Sequence, residues 1–162
     1  MRFACRPVTA DFFATAPIVF RHGVDVPASA ATVFSYFEDE RAWPEWFSDI
    51  TRVVWTSPRP FGVGTTRTVS LKTVTVDEHF FRWEPGRRFS FFLTGATLPI
   101  FEALAEDYLL EESGPTSTRF TYTVAIAPRL LIKLGGAMAR RQLDDGFRRG
   151  CVGLAEYARR RA

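Results

Sequence analysis

Cysteine and histidine are nearly missing from this sequence, with two of each in 162 residues. Cys5 and Cys151 lie far apart and form neither a metal-ligand nor a redox spacing, and with only His22 and His79 beside them no metal set can be assembled. Both thiols are read as free, and so few of them in a chain of this size point to a reducing, cytoplasmic location. No run of 18 uncharged apolar residues occurs, so no membrane-spanning helix is expected. Arg2, Arg6 and Asp11 interrupt the N-terminal stretch before it reaches signal-peptide length. Internal repeats, low-complexity tracts, a Ser-centred nucleophile elbow and a phosphate-gripping glycine loop are also missing; Gly62-Val63-Gly64 reads as a turn. No cofactor is therefore expected.

Apolar and aromatic residues are plentiful. The chain is 46% hydrophobic and carries sixteen Phe, four Trp and four Tyr, and its length suffices for one domain to bury a core without metals or disulfides. So many rings suit either a solid Phe-rich core or the lining of an apolar pocket, and composition leaves both open. The net charge of +3 is uneven: from Pro128 onward nine Lys or Arg face three Asp or Glu, giving +6 there and −3 in the remainder. Arg140, Arg141, Arg148, Arg149 and Arg159 to Arg161 read most simply as a solvated helix face, with no nucleic-acid partner expected.

Periodicity orders the elements. Residues 1–16 look like a loosely attached arm. A strand fits Pro17 to Val26, placing Phe20, His22, Val24 and Val26 on one face. Ser29 is a candidate N-cap for a short helix through Phe37, and Arg41 to Phe47 allows a second. Strand-like runs follow at 50–57, 65–72, 74–83, 88–94, 103–112 and 118–127, separated by Gly and Pro turn signals. After Pro128 the alternation becomes helical, with Leu143, Phe147, Cys151 or Gly150, Leu154 and Tyr157 or Ala158 along one stripe.

This order resembles the helix-grip fold of the START-like (SRPBCC) superfamily, in its polyketide cyclase/dehydrase-like branch. The resemblance runs from Pro17 to Ala158. It is carried by Val24-Asp25-Val26-Pro27-Ala28, Val33-Phe34, Trp43-Pro44-Glu45-Trp46, Gly62-Val63-Gly64-Thr65, Trp83-Glu84-Pro85-Gly86-Arg87-Arg88 and the final helix. It implies an α+β domain over residues 17–162, a curved seven-stranded antiparallel sheet around a long C-terminal helix with two short helices after the first strand. Between sheet and helix it implies a cavity that across the family holds lipids, polyketides, plant hormones or quinones, sometimes with catalysis.

Strand parity indicates which polar groups face that cavity. A two-residue turn at Lys72-Thr73 pairs Leu71 with Val74, Val69 with Val76 and Arg67 with Glu78. The turn at Glu84 to Arg87 then pairs Arg82 with Phe89, Phe80 with Phe91 and Glu78 with Leu93. Pairing Leu110 with Phe120 sets Tyr108 opposite Tyr122 and Glu106 opposite Val124. The expected wall thus carries His22, Arg67, Glu78, Glu106, Tyr108 and Tyr122 among Phe80, Phe91 and Phe120, with Phe147 reaching in from the helix.

Two carboxylates on an apolar face imply pairing, protonation or a wet pocket. Either Glu106 or Glu78 has a raised pKa and offers a proton or hydrogen bond to a ligand oxygen, or Arg67 and Glu78 form a bridge at a rim with Glu106 in solvent. The apolar loop Gly95 to Phe101 is open to readings as a lid, a partner contact or a segment tucked under the long helix, and Leu130, Leu131, Ile132 and Leu134 as an entrance. The functional expectation is a binder of a small hydrophobic molecule. The alternatives are a cofactor-independent cyclase or dehydratase using Glu106 or Glu78, and a peripheral membrane or protein-interaction module. Oligomeric state is not readable.

Overall fold

Alternating apolar and polar residues, punctuated by short turns, build an antiparallel sheet that folds back on itself. The computed structural model describes all residues from Met1 to Ala162. In chain order the elements are β1 (Phe3–Ala4), α1 (Phe12–Thr15), β2 (Ile18–Val26), α2 (Ala30–Glu38), α3 (Trp43–Trp46) and β3 (Ile50–Trp55). Then come β4 (Thr66–Leu71), β5 (Thr75–Glu84), β6 (Arg88–Ala96), β7 (Phe101–Gly114), β8 (Ser117–Pro128) and α4 (Leu130–Arg161). The sheet order is β2-β8-β7-β6-β5-β4-β3, with β1 added beside β6. This is the helix-grip arrangement: seven strands curl, and α4 packs across the concave face.

Local chemistry sets the boundaries. Ser29 caps α2 by accepting from the Thr32 N–H at 3.2 Å, and Pro44 stands in the first turn of α3. These two short helices connect the opposite edges of the sheet, β2 and β3. Behind them the core is largely aromatic: Phe34, Phe37, Trp43, Phe80, Phe89, Tyr108 and Phe120 are all buried in one cluster, with Phe37 centred 5.3 Å from both Phe89 and Tyr108.

The expected registers hold at Arg67–Glu78 and Val69–Val76, at Glu78–Leu93 and Phe80–Phe91, and at Leu110–Phe120, Tyr108–Tyr122 and Glu106–Val124. One pairing does not. A bulge between Phe80 and Arg82 sets Arg82 opposite Ser90 and Trp83 opposite Phe89. The extra residue turns Trp83 inward, where its ring stacks 5.6 Å from Phe89. Arg82 moves to the outer face, 3.3 Å from the buried Asp107.

The first sixteen residues are docked rather than loose. Phe3 and Ala4 pair with the end of β6, the Cys5 N–H donates to Thr94 O at 3.0 Å, and the Arg6 N–H donates to Glu102 O at 2.8 Å. The segment therefore bridges β6 and β7 beyond the Phe92–Ala105 pair where those two strands part. Val8 and Phe12 then cover a stripe of small residues on the outer face, Ala103, Ala105, Ala125 and Ala127.

The long helix is interrupted once, at Gly136, whose φ of 57° and ψ of −140° suit a residue without Cβ. Past that break Cys151, Leu154, Tyr157 and Ala158 are buried as the helical stripe requires. No helix of the structure is long and apolar enough to cross a membrane.

Candidate functional site

Between the curled sheet and the middle of α4 lies a cavity of about 360 Å³ with mostly apolar walls. Strand parity supplies one side through Val69, Val76, Phe91, Leu93 and Leu104, and the helix supplies Leu143 and Phe147. Lys72, Thr73, Ile100 and Gln142 also line it, so the β4–β5 turn, the β6–β7 connection and α4 frame its outer end. Of the residues expected in the wall, Arg67, Glu78, Glu106, Tyr108, Tyr122, Phe91 and Phe147 all meet here.

The polar groups gather around one buried cation. Arg67 is 1% exposed and donates its Nε to Glu78 Oε2, while its Nη1 has no hydrogen-bond partner. Four rings enclose the guanidinium: Trp43 at 4.3 Å, Phe80 and Phe91 at 5.2 Å and Trp55 at 5.3 Å from its carbon. Their π faces offset part of the lost hydration of the charge. Glu78 sits among the same apolar groups, and burial pushes its carboxyl up while the Arg67 charge opposes that.

Glu106 is held by neutral donors instead. Its Oε2 accepts from Tyr122 OH at 2.7 Å and from Tyr108 OH at 3.1 Å. Burial, followed by the nearby Glu78 charge, raises its pKa to about 8, against the lowering effect of the two hydroxyls and Arg67. One cation thus faces two carboxylates. The charge balances when one proton is retained, and Glu106, which lacks the direct bond to Arg67, retains it at neutral pH. Burial, aided by the Glu106 charge, also holds Tyr108 and Tyr122 well above the ordinary phenol range. The polar end of the cavity therefore presents the acid proton of Glu106 and the free Nη1 of Arg67, while the two phenol protons are taken by Glu106.

Three expected wall residues sit elsewhere. His22 faces the helix but its Nε2 lies 2.6 Å from Asp144 Oδ1, so it ties β2 to α4 outside the cavity lining. Phe80 and Phe120 are buried one layer behind, Phe80 against Arg67 and Phe120 between Phe37 and Tyr108. Leu130, Leu131 and Leu134 do not line an entrance; they point into solvent, and Ile132 lines a separate groove beside Glu102 and Arg140. Sequence parity could not find Trp43 and Trp55, which lie outside the strands used to deduce the wall. Trp43 was expected only on the apolar side of the second short helix and within the Trp43-Pro44-Glu45-Trp46 motif. No group of His, Cys, Asp and Glu is arranged to hold a metal ion.

A family model described as polyketide cyclase / dehydrase and lipid transport matches residues 17–159. Uncharacterized proteins of Mycobacterium tuberculosis and Mycobacterium bovis are 40% identical over 124 residues, which is 76% of this chain and 74% of theirs. Among solved structures, a START superfamily protein from Mycobacterium smegmatis superposes with a TM-score of 0.76 at 16% identity, over 89% of this chain and 99% of that one. An aromatase/cyclase from a Streptomyces species gives 0.71 at 17% identity, over 89% and 94%. At such identities the two structures share the fold.

Proposed function

Because the chain belongs to the polyketide cyclase / dehydrase and lipid transport family, we propose that its cavity binds a small hydrophobic molecule whose oxygen-bearing end is gripped by Arg67 and Glu106. The observation that carries this reading is the combination of apolar walls with a cluster of buried donors. A protonated Glu106 and the unsatisfied guanidinium both lack acceptors. A ketone, quinone or carboxylate oxygen supplies one, whereas a ligand ending in donors alone leaves the site unsatisfied. Phe91, Leu143 and Phe147 supply contact area for the apolar body. A volume of about 360 Å³ falls in the range usual for sites that enclose a small molecule.

Native mass spectrometry of protein purified from its own source, followed by denaturation and identification of the released compound, tests the reading. A stoichiometric apolar passenger bearing an acceptor oxygen is expected. Protein that is empty and also fails to take up an apolar fluorescent probe overturns it.

A second reading, cofactor-independent cyclisation or dehydration, is favoured by one feature: Glu106 is buried beside Glu78 without a cation of its own, which raises its carboxyl pKa to about 8. In a dehydration the Glu78 carboxylate accepts the proton lost from the carbon beside a carbonyl, Arg67 stabilises the enolate oxygen so formed, and the Glu106 acid protonates the departing hydroxyl, which leaves as water as the carbon–carbon double bond forms. With the passenger in hand the two readings separate. Glu106→Gln retains binding and abolishes turnover if the site is catalytic; if it is not, wild-type protein returns the passenger unchanged.

A further inference from the structure

The start of α4 breaks the rule that a helix turns its leucines inward. Leu130, Leu131, Leu134 and Met138 are 66%, 58%, 75% and 72% exposed, while the second half of the same helix buries its apolar stripe. The segment is nonetheless fixed in place. Arg129 donates from Nε to Phe101 O at 2.9 Å and from Nη2 to Ala4 O at 2.7 Å, and its backbone N–H donates to Ile100 O at 2.9 Å. An anchored helix that shows four large apolar side chains to water carries a cost that a partner surface removes.

The surrounding charge identifies the partner's chemistry. No acidic residue occurs from Arg129 through Leu143. Lys133, Arg140 and Arg141 are exposed and join no salt bridge. Lys133 and Arg140 share a groove with Glu102, whose charge is taken up by Arg6 at 3.7 Å, so exposed leucines beside free cations fit the interface of an anionic lipid bilayer, where leucines enter the acyl region and basic groups meet headgroups. A second copy of the chain fits poorly. Four large apolar side chains make a patch well short of the ~20–30 residues a side that a stable interface needs. A two-fold contact would also set these cations against their own copies.

We propose that the Leu130–Met138 segment with Lys133, Arg140 and Arg141 is a docking surface for anionic membranes. It adjoins the cavity: Met138 lies one helical turn before Gln142, which lines the cavity, and the helix start is hydrogen-bonded to Ile100, another lining residue. Gly136, where the helix is broken, separates Leu130, Leu131 and Leu134 from Met138.

The test is flotation of the full chain with phosphatidylcholine vesicles with and without phosphatidylglycerol, at low and high salt. Binding to the anionic vesicles only, weakened by salt, is expected. Leu131→Ser with Leu134→Ser should lower partitioning at least tenfold, and Lys133→Gln, Arg140→Gln and Arg141→Gln should each lower it about fivefold. The substituted positions are exposed, so circular dichroism should remain unchanged. A polarity-sensitive dye on Leu134→Cys should shift to the blue with anionic vesicles. Vesicle binding indifferent to these substitutions, no vesicle binding at all, or self-association that the leucine variant abolishes would each overturn the proposal.

Discussion

Arg67 and Glu78 sit directly opposite each other on β4 and β5, joined through Nε and Oε2, yet Nη1 of the same guanidinium bonds to nothing. The cavity is thus organised around a charge that the protein satisfies only in part. Breaking the pair strands a cation behind four rings, a situation that costs about 3–5 kcal/mol. Glu78→Leu should therefore shift the urea unfolding midpoint strongly downward. Adding Arg67→Met should recover most of that loss, because two apolar side chains of similar volume remove the unpaired charge. If Glu78→Leu unfolds at the wild-type midpoint, the pair is not a stabilising element.

Glu106 makes stability fall as pH rises. Its carboxyl moves from an ordinary value of 4.5 to about 8 on folding, so the folded chain holds the proton more tightly than the unfolded one. That contribution is complete below about pH 4.5 and is lost as pH climbs through about 8, with a slope approaching ~1.4 kcal/mol per pH unit in between. Glu106→Gln removes the titration and keeps the acceptor for Tyr108 and Tyr122. Unfolding free energies at pH 5.5, 7 and 8.5 should therefore converge in the variant, while the wild type weakens toward the alkaline end. Parallel curves for the two proteins would show that Glu106 is ionised in the fold.

Much of this arrangement was legible in the sequence, for a definable reason. Two-residue alternation and a two-residue turn fix a hairpin register, so Arg67–Glu78 followed from parity and the turn, while Tyr108–Tyr122 and Glu106–Val124 followed once Leu110 was paired with Phe120 on the apolar face. The bulge beyond Phe80 adds one residue without any change of composition, and parity failed there, sending Trp83 inward and Arg82 out to Asp107. His22 was on the expected face, but Asp144, which occupies it, lies 122 positions away on a helix whose rotation no strand pattern specifies. The ring cage of Arg67 draws Trp43 from α3 and Trp55 from β3, a convergence that only the three-dimensional fold creates.

The N-terminal segment escaped notice because its elements are too short to leave a periodic signal: β1 has two residues and α1 has four. Its buried Phe12 nevertheless seals the alanine stripe on the outer face of the sheet. Phe12→Ala should cost about 3 kcal/mol by opening that contact to water. Truncation of residues 1–16 should cost more, since it also removes the strand beside β6. Urea unfolding of both proteins measures this, and a truncated chain as stable as wild type would mean the segment is dispensable to the fold.

A last prediction concerns a position remote from the polar cluster that should still control it. A Cβ on Gly153 would lie 2.0 Å from the backbone oxygen of Trp46, and one on Gly150 would meet the Phe47 ring at 2.5 Å. Alanine is the better helix former by about 1 kcal/mol, so without this contact Gly153→Ala would stabilise α4. With it, the backbone of α3 must retreat, and a rigid main-chain oxygen has no rotamer to offer in relief, so a net loss of about 3 kcal/mol is expected. The same displacement carries Trp43 away from Arg67, over which its ring lies at 4.3 Å. Gly153→Ala should therefore weaken uptake of an apolar probe as well as lower the melting temperature, whereas Gly62→Ala, with nothing within 4 Å of its added carbon, should leave both near wild type. Loss of stability with unchanged probe affinity would show that α3 does not set the cavity's cation.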